Sequence, residues 1–305
     1  MSDNTALREF EELALSGQTN TGMVATDERS WVSFLLQLTV DVLHQVRKVR
    51  FGDLQREISI KPDGSPVSTI EERIESYCRE QVAKFDPTAS FVGEEQGGEI
   101  DTSGVSLAID PIDGTWAFVN RAETFATTMV LYRRGRAEMA FIANPATGEI
   151  AYAIAGDGAR LLQIGLSGDA NEAYDLPLVQ SSPTGHLLNL HPNRHMGPVM
   201  SQLVSCWEAS EVGLVKSTGG SPVWSMLDAA KGACTYINLW PGLPAAPYDL
   251  AAGILLVRAA GGEVIDLSGK SVSMSGHTGP FVAGIDADNT QRVAKMIGQA
   301  EKAGS

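Results

Sequence analysis

The residues of this chain best suited to chemistry form the hexapeptide Asp110-Pro111-Ile112-Asp113-Gly114-Thr115, which follows the apolar segment Val105 to Ile109. Two carboxylates placed where an apolar strand enters a glycine-containing turn repel each other and lose hydration unless a divalent cation holds them. Pro111 fixes the bend between them, and the carbonyl of Ile112 offers a further oxygen. The pattern predicts a site for a hard cation, although these residues read alone also fit an aspartate-capped turn.

The end of the hexapeptide is suited to hold an anion beside that cation. Gly114 lets the backbone approach a ligand closely, because it has no side chain. If a helix starts here, the amides of residues 114–116, the last of them that of Trp116, could surround an anion. Thr115 adds a hydroxyl next to the carboxylates. We therefore assign Gly114, Thr115 and Trp116 to substrate binding.

The acidic pair Glu94-Glu95 precedes the hexapeptide and follows the apolar pair Phe91-Val92 and a glycine. In an extended chain, the side chains of neighbouring residues point to opposite sides. Only one of the two carboxylates can then face a given site, so we expect Glu94 to bind the metal and Glu95 to support it. A solvated turn is the alternative for such a pair read alone.

Two further stretches precede predicted helices in the second half of the chain. Asp249 comes before the apolar, small-residue run from Leu250 to Ala260, at the predicted N-terminus of a helix. It could add a carboxylate to the same site or serve as a plain N-cap. The stretch Ser217-Thr218-Gly219-Gly220-Ser221 could contact a substrate through its backbone amides. We assign Gly220, Ser221 and Asp249 to substrate binding.

Helices must position these residues, and the sequence predicts two of them in the first hundred residues. Apolar residues recur every three or four positions from Trp31 to Val49, which predicts a helix with one buried face. Ser68 or Thr69 can cap a second helix, which places Glu71 in its first turn. A glutamate in a first turn also suits the helix dipole without any further role.

The rest of the chain alternates short apolar runs with turn formers, as in a mixed sheet. The predicted strands are 90–92, 106–109, 126–132, 137–143, 150–154 and 187–190, and the predicted helices are 200–209 and 221 or 222 to 230. These elements predict an α+β fold, and the length of the chain predicts two tightly packed domains or one large layered unit. Residues 1–175 would form an N-terminal half that carries most metal ligands, and residues 176–305 an α/β half that closes the site with Asp249.

Composition limits the partners of the protein. The chain has 305 residues, 43% hydrophobic and 20% charged, as in globular proteins that need no disulfides. Its net charge of −14 argues against a nucleic-acid polymer or an anionic membrane as partner, because both would be repelled. Its three cysteines are far apart, which predicts reduced thiols, and the acidic N-terminus lacks the apolar region of a signal peptide. We expect a cytoplasmic protein.

Taken together, these motifs resemble those of the inositol monophosphatase family, a group of metal-dependent, lithium-sensitive phosphatases that also includes histidinol-phosphate and bisphosphate phosphatases. The resemblance covers roughly residues 30 to 290, in family order. Its most specific parts are Gly93-Glu94-Glu95, the hexapeptide with Phe118 after it, and Asp249-Leu250-Ala251-Ala252 leading to Gly261-Gly262.

The resemblance implies a layered αβαβα sandwich, a homodimer and two or three Mg²⁺ ions as cofactors. The metal ligands that it implies are Glu94, Asp110, Asp113, Asp249, Glu71 and, through its carbonyl, Ile112. It also implies that Gly114 and Thr115 meet the phosphate. Glu71 would orient Thr115, which with Glu94 activates a water molecule. Asp113 and Asp249 would hold the ion that stabilises the departing alkoxide.

The sequence departs from the family pattern where the substrate is chosen. The glutamate that binds inositol hydroxyls in the animal enzymes corresponds to a position near Leu239 or Gly242, and neither can replace it. Glu71 stands where the family usually has Asp, Tyr248 where it has Trp, and Lys216 lies beside the place of a usual Arg. The resemblance therefore implies a magnesium-dependent phosphatase whose small substrate is inositol-phosphate-like, histidinol phosphate or a sugar phosphate.

Two alternatives stay open. Within the same class, the enzyme would hydrolyse a 3'-phosphonucleotide or fructose bisphosphate. In another class, the protein would be a non-catalytic regulator that binds metal or phosphate and has lost turnover. Phosphate release from a substrate panel with and without Mg²⁺ distinguishes the regulator from the enzyme.

Overall fold

The computed structural model describes residues 28–52, 58–60, 66–165, 170–180, 187–191, 197–240 and 244–304. Gly242, one of the two positions compared with the inositol-binding glutamate, lies outside the described residues. In the described part of the chain, no helix is long and apolar enough to cross a membrane.

The described residues form helices and strands throughout. The helices are α1 (Glu28–Phe51), α2 (Thr69–Phe85), α3 (Thr115–Val119), α4 (Gly197–Glu208), α5 (Pro222–Ala230), α6 (Ala251–Ala259) and α7 (Ala287–Gly304). The strands are β1 (Ile58–Ile60), β2 (Pro66–Ser68), β3 (Ser90–Gly93), β4 (Val105–Asp113), β5 (Ala126–Arg133), β6 (Arg136–Asn144), β7 (Glu149–Ile154), β8 (Gly158–Ile164), β9 (Ala170–Asp175), β10 (Leu187–His191), β11 (Leu214–Ser217), β12 (Thr235–Asn238), β13 (Glu263–Asp266) and β14 (Phe281–Gly284).

Helices α1 and α2 form where the sequence predicts them, because the apolar residues of each share one face. The buried face of α1 includes the predicted positions Trp31, Leu35, Leu38, Val42 and Val46. Helix α2 begins at Thr69, one of the two predicted caps, and has Glu71 in its first turn. Both helices therefore follow from the period of 3.6 residues.

The strands form two large sheets and one small ladder. Strands β3 to β9 lie side by side in chain order in a seven-stranded sheet. Its β3–β4 pair is parallel and the following pairs are antiparallel. The five-stranded sheet has the order β11-β10-β12-β14-β13, with β10 parallel to both of its neighbours. Strands β1 and β2 form a separate antiparallel pair.

The seven-stranded sheet is covered on both faces, so its central strands are apolar on both sides. In β4, Leu107 and Ile109 pack with residues of α1 and α2, whereas Ala108 packs with residues of α5 and α6. A strand buried on both faces needs apolar residues at successive positions rather than at alternate ones. This explains why 106–109 has no polar face in the sequence.

Helices and sheets alternate in five layers. Helices α1 and α2 cover one face of the seven-stranded sheet, and α5 and α6 lie between the two sheets. Helices α4 and α7 pack together on the outer face of the five-stranded sheet. This order confirms the α+β class and the αβαβα arrangement that the resemblance implies.

The two helices of the middle layer approach each other closely. A Cβ atom at Gly253 of α6 would lie 2.7 Å from Sδ of Met226 in α5 and 2.9 Å from its Cβ. The missing side chain therefore sets the distance between these helices. Helix α5 begins directly after Ser221 and α6 begins two residues after Asp249, so both start at predicted site residues.

Several elements go beyond the prediction. Helix α7, strands β8 and β9, and the strands after β10 are not predicted, and β4 continues to Asp113 instead of ending at residue 109. The seven-stranded sheet ends before residue 176 and the five-stranded sheet begins after it. Because α5 and α6 pack against both sheets, the division into two domains stays a prediction.

Candidate active site

Helix α2 brings two glutamates to one face. Glu71 lies in the first turn and Glu75 one turn later, and both side chains are fully buried. Residues four apart project from the same side of a helix. Two neighbouring buried positions of α2 are the apolar Ile70 and Ile74, so carboxylates on this face need polar partners.

The acidic pair Glu94-Glu95 lies in a tight turn rather than in an extended strand. Gly93 and Gly97 exchange two backbone hydrogen bonds of 3.0 Å, which close the chain between them. Glu71, Glu94 and Glu95 each place a carboxylate oxygen within 4.8 Å of the others. The expectation that only one of the pair could face the site is therefore wrong, because it assumed extended backbone.

Glu75 holds this turn from the helix. Its Oε1 accepts the backbone N–H of Glu95 at 2.8 Å, and its Oε2 accepts that of Gln96 at 2.9 Å. The sequence prediction does not include Glu75. The signal that could have found it is a carboxylate on the apolar face of a predicted helix, one turn after Glu71.

Strand β4 carries the first half of the hexapeptide. Its pairing with β5 is irregular between Asp110 and Asp113. At this place the Oδ1 of Asp110 accepts the N–H of Ile112 at 2.8 Å, and the hydroxyl of Thr127 donates to the carbonyl of Pro111 at 2.7 Å. The bend predicted at the proline is thus a break in strand pairing whose backbone groups are satisfied by side chains.

The hydroxyl of Thr115 has two acceptors within reach. They are Oε1 of Glu71 at 3.1 Å and the carbonyl oxygen of Ile112 at 3.2 Å. A hydroxyl has one proton and donates to one acceptor at a time, while its oxygen keeps lone pairs for a further donor. The structure therefore brings Thr115, Glu71 and the Ile112 carbonyl together, as the resemblance implies.

Gly114 and Gly220 let two chain segments meet. Gly114 has a φ of 89°, in the left-handed region, and a Cβ atom there would lie 2.6 Å from the backbone nitrogen of Ser221. Gly220 has a φ of 108°, and its Cβ would lie 2.1 Å from the carbonyl oxygen of Thr124. The start of α3 therefore lies against the segment before α5.

Asp113 is held by the N-terminus of α5. Its Oδ2 accepts hydrogen bonds from the hydroxyl of Ser221 and from the N–H of Val223, the latter at 3.2 Å. The same hydroxyl oxygen caps α5 by accepting the N–H of Trp224 at 2.8 Å. The amide of Ser221 donates to the carbonyl of Thr124 at 2.8 Å. The expected contact of this amide with substrate is therefore wrong, and Ser221 orients Asp113 instead.

Asp249 lies in the turn before α6 and does not cap the helix. The N-cap is Leu250, which makes no side-chain capping bond. The Oδ2 of Asp249 accepts the N–H of Ala246 at 2.5 Å, three residues earlier. The hydroxyl of Tyr132 in β5 donates to the carbonyl of Pro247 at 2.8 Å, which ties the turn to the seven-stranded sheet. The alternative of a plain N-cap is therefore wrong.

Burial is the largest cause of the raised pKa at each of the three aspartates. It raises the pKa of Asp110 well above its usual value, and the charge of Glu94 adds to the rise. It raises the pKa of Asp113 to about 7, although the bonds from α5 lower it. The pKa of Asp249 rises to about 6 for the same reason. The charge of Glu94 contributes at all three, so Glu94 lies near each of these aspartates.

The donor set fits a hard divalent cation. Its side chains are carboxylates, with a backbone carbonyl and a hydroxyl beside them, and Mg²⁺ and Ca²⁺ prefer such oxygen ligands. Buried carboxylates close to one another resist ionisation, and a bound cation would favour their charged forms. The cluster can therefore hold a cation and, beside it, an anion that the cation attracts.

The remaining predicted positions surround this cluster. Trp116 is 61% exposed at the start of α3. Lys216 forms an ion pair of 3.2 Å with Asp228 of α5. Leu239 is buried in the apolar cluster that includes residues of α4 and α7. A side chain in that cluster cannot face a ligand at the carboxylates, so Leu239 gives the protein no substrate contact there.

The chain is similar to known phosphatases along most of its length. A model of the inositol monophosphatase family matches residues 27–302. An inositol-1-monophosphatase of Rhizobium meliloti (strain 1021) is 32% identical over 250 residues, which cover 81% of this chain and 87% of that protein. A histidinol-phosphatase of Mycobacterium tuberculosis is 29% identical over 236 residues, covering 75% and 85%. A Nus factor SuhB of Salmonella typhimurium is 28% identical over 244 residues, covering 79% and 84%.

Solved structures share the fold. The Thermotoga maritima IMPase TM1415 has a TM-score of 0.70 at 21% identity, and the match covers 90% of this chain and 99% of that chain. An IMPase/NADP phosphatase complexed with Mg²⁺ and phosphate has a TM-score of 0.65 at 18% identity, covering 86% and 94%. At these identities the similarity shows the fold alone.

Proposed function

We propose that this chain, a phosphoric monoester hydrolase that belongs to the inositol monophosphatase family, hydrolyses a small phosphate monoester with Mg²⁺ as its metal. The observation that carries the proposal is the contact between the Thr115 hydroxyl and Glu71, next to the Glu94 turn, the buried Asp110 and Asp113, and the half-buried Asp249. The relative of the same fold that was solved with Mg²⁺ and phosphate supports the choice of metal.

The metal would be held by oxygen atoms from four parts of the fold. The residues that we propose for two or three ions are Glu94, Asp110, Asp113, Asp249, Glu71 and the carbonyl of Ile112. Bound Mg²⁺ supplies charge neutralisation at the phosphate and lowers the pKa of a water molecule. Bonds from Ser221 and Val223 to Oδ2 of Asp113 fix the direction of its other oxygen, which would bind the cation.

Thr115 would orient the water that attacks phosphorus. Its hydroxyl donates to Glu71 at 3.1 Å, and its oxygen then accepts a hydrogen bond from the water. The Thr115 oxygen would take the proton that this water loses while the hydroxyl proton of Thr115 passes to the carboxylate of Glu71. Attack in line with the ester bond leaves inorganic phosphate and releases the alcohol, whose oxygen takes a proton from solvent.

The start of α3 would hold the phosphate. We propose that the amides of Gly114, Thr115 and Trp116 donate to its oxygens, and that the amide of Gly220 borders the same space. The close approach at Gly114 and Gly220 supports this arrangement, because it leaves backbone rather than side chains next to the carboxylates. Asp249, in the turn before α6, would also contact the alcohol part of the substrate.

The substrate that we propose is a phosphorylated polyol, sugar or amino alcohol. Relatives named inositol-1-monophosphatase and histidinol-phosphatase support this class. Leu239 lies in an apolar cluster, which argues against inositol phosphate as the preferred member. A 3'-phosphonucleotide and fructose bisphosphate are the runner-up substrates.

The test is phosphate release from a panel that contains inositol phosphates, histidinol phosphate, sugar phosphates, 3'-phosphonucleotides and fructose bisphosphate. We expect turnover of at least one small monoester with Mg²⁺ and none after chelation. The substitution Asp113→Asn should abolish turnover while the circular dichroism spectrum is retained. Equal turnover with and without chelator would contradict the metal dependence.

The second candidate function is that of a non-catalytic regulator that binds metal or phosphate. A relative named Nus factor SuhB is the reason to retain this candidate. Binding of Mg²⁺ by calorimetry with no turnover of any substrate would favour this regulator over the enzyme. We further propose a homodimer, as the family resemblance implies. The cytoplasmic location and the domain division at residue 176 are proposed from the sequence. Light scattering after gel filtration gives the oligomeric state.

A further inference from the structure

We propose that Glu75 is a positioning residue that holds the Glu94-Glu95 turn ready for metal binding, without touching metal or substrate itself. The inference rests on the proposed function, because it assigns a role to Glu75 through a metal site that the proposed function requires. It concerns the metal-free protein first, since the turn would be held before a cation arrives.

The grip of Glu75 on the turn uses both of its oxygens. Oε1 accepts the N–H of Glu95 at 2.8 Å and Oε2 accepts the N–H of Gln96 at 2.9 Å. A carboxylate that accepts two consecutive amides fixes the position and the tilt of that backbone segment. The side chains of Glu94 and Glu95 leave from this segment, so their directions follow from the grip.

Gly93 leaves space for the carboxylate of Glu75. A Cβ atom at Gly93 would lie 2.1 Å from Oε2 and 2.9 Å from Oε1 of Glu75. Gly93 also exchanges hydrogen bonds with Gly97 on the far side of the turn. The turn is therefore fixed at its base by backbone bonds and at its tip by Glu75.

Packing in the core does not explain why an ionisable residue occupies position 75. Its side chain is fully buried, and the other buried residues of α2 include the apolar Ile70, Ile74 and Cys78. Glu75 also lies beside two further carboxylates, Glu94 and Glu95, which repel it. A buried carboxylate next to like charges costs free energy, so its hydrogen bonds to the turn must matter for something other than stability.

Helix α2 thereby sets the distance between two metal ligands. Glu71 and Glu75 lie one turn apart on α2, and the first offers its own oxygen while the second holds Glu94 and Glu95. Oxygens of Glu71, Glu94 and Glu95 lie within 4.8 Å of one another. Loss of the grip would free the turn to move away from Glu71, and the cation would then bind more weakly.

The test is the substitution Glu75→Gln, which keeps the size of the side chain. The amide offers one acceptor oxygen and places an NH₂ group opposite a backbone N–H, so one of the two bonds is lost. We expect the Kd for Mg²⁺, measured by calorimetry on the protein alone, to rise about tenfold. The kcat at saturating Mg²⁺ should stay within about threefold, because Glu75 does not touch the reacting atoms.

Asp86→Asn is the matched control. Asp86 is buried just after α2. Its Oδ1 accepts two hydrogen bonds from Thr88, one from the backbone N–H at 2.9 Å and one from the side-chain hydroxyl at 2.7 Å. This substitution neutralises a buried, hydrogen-bonded carboxylate outside the site. It should leave the Kd for Mg²⁺ unchanged.

A second measurement does not depend on a variant that folds. The amides of Glu95 and Gln96 in the metal-free wild-type protein should exchange with deuterium more slowly than exposed turn amides. Exchange at the unprotected rate, or an unchanged Kd in folded Glu75→Gln, would overturn the role of Glu75. Failure of the proposed function would give another result, in which the wild-type protein binds Mg²⁺ but hydrolyses no substrate. The Kd for Mg²⁺ of Glu75→Gln could still be compared with that of the wild-type protein.

Discussion

The glutamate and aspartate sides of the site are held in different ways. On the aspartate side, each of Asp110, Asp113 and Asp249 accepts a backbone N–H with its own carboxylate. On the glutamate side, the turn that carries Glu94 and Glu95 is instead gripped by another side chain. One side is anchored in the main chain of β4, of α5 and of the turn before α6, the other in a single helix.

Because of this difference in anchoring, we expect the side chains on the aspartate side to be held more rigidly than those on the glutamate side. The aspartates have short side chains, and their partners are N–H groups of neighbouring residues or of a helix start, which move only with the fold. Glu94 and Glu95 are longer and only partly buried, and they follow the position of Glu75. We therefore expect changes on the aspartate side to abolish the reaction, and changes on the glutamate side to tune how strongly the cation binds.

The largest effect is expected for Asp113→Asn on the aspartate side. The amide oxygen can still accept both hydrogen bonds that Oδ2 accepts, but the substitution removes a charge that the cluster needs for the cation. The kcat should fall by at least about 10²-fold, as when a group that stabilises the transition state is removed. Steady-state kinetics at several Mg²⁺ concentrations measures it. Recovery of the full kcat at high Mg²⁺ would show that Asp113 affects only the strength of cation binding. It would then contradict the expected difference between the aspartate side and the glutamate side.

Thr115→Val tests where the two sides meet, since Thr115 follows the aspartates in sequence and bonds Glu71 on the glutamate side. The valine keeps the shape and removes the hydroxyl, so we expect a loss of kcat of about 10²-fold with little change in the Kd for Mg²⁺. Thr115→Ser is the matched control and should retain most of the activity. An equal loss in both variants would show that packing, not the hydroxyl, matters there.

The raised pKa values of the aspartates predict a pH dependence of stability without metal. The folded pKa values of about 7 for Asp113 and about 6 for Asp249 exceed the usual value of about 3.9. The folded protein then binds these protons more tightly than the unfolded one, so their stabilisation is present below about pH 4 and is lost towards pH 7. In EDTA, the melting temperature should fall by a few degrees from pH 5.5 to pH 8.

Saturating Mg²⁺ should change that pH dependence, because the cation binds the ionised carboxylates. The Mg²⁺-induced rise in melting temperature is then larger at pH 8 than at pH 5.5. A smaller rise at pH 8 would contradict the link between the aspartates and the cation.

A smaller effect is expected for Gly114→Ala, which tests the rigidity of the aspartate side. An alanine would hold a left-handed φ and place its Cβ 2.6 Å from the backbone nitrogen of Ser221, which cannot move aside as a side chain can. We expect a loss of about 1–3 kcal/mol in the free energy of unfolding. Gly156→Ala is the control, with a φ of 87° and open space around its Cβ, so it should cost less.

The sequence predicts the candidate ligands better than their surroundings. Asp110, Asp113 and Glu94 stand in short motifs, and local spacing is enough to propose that they share a site. The bond from Ser221 to Asp113 and the grip of Glu75 on residue 95 join positions that are 108 and 20 residues apart. No local pattern encodes such contacts, because they depend on how helices pack on the sheets.

Prediction of the fold from local sequence patterns has the same limit, because some elements form only through contacts with distant parts of the chain. The first two helices and the strands between residues 90 and 154 follow from periodicity and turn residues, whereas β1 and β2 are not predicted. Strands β11 to β14 have only four residues each, too few for a period to be read, and they form only because α4 to α7 cover them. Asp249 was expected at a helix cap for a similar reason, since sequence alone does not reveal that its carboxylate turns back to Ala246.

The contact between Gly253 and Met226 has a consequence for how proteins of this design diverge. Helix α5 starts at Ser221, which bonds Asp113, and α6 starts just after Asp249. The distance between the two helices is set by the contact of Gly253 with Met226. Helices α4 and α7, in the outer layer on the five-stranded sheet, carry none of the proposed site residues, so their exposed positions should tolerate substitution. A larger residue at 253 would spread the two halves of the catalytic apparatus apart, and this buried glycine therefore sets a limit on sequence drift far from the substrate.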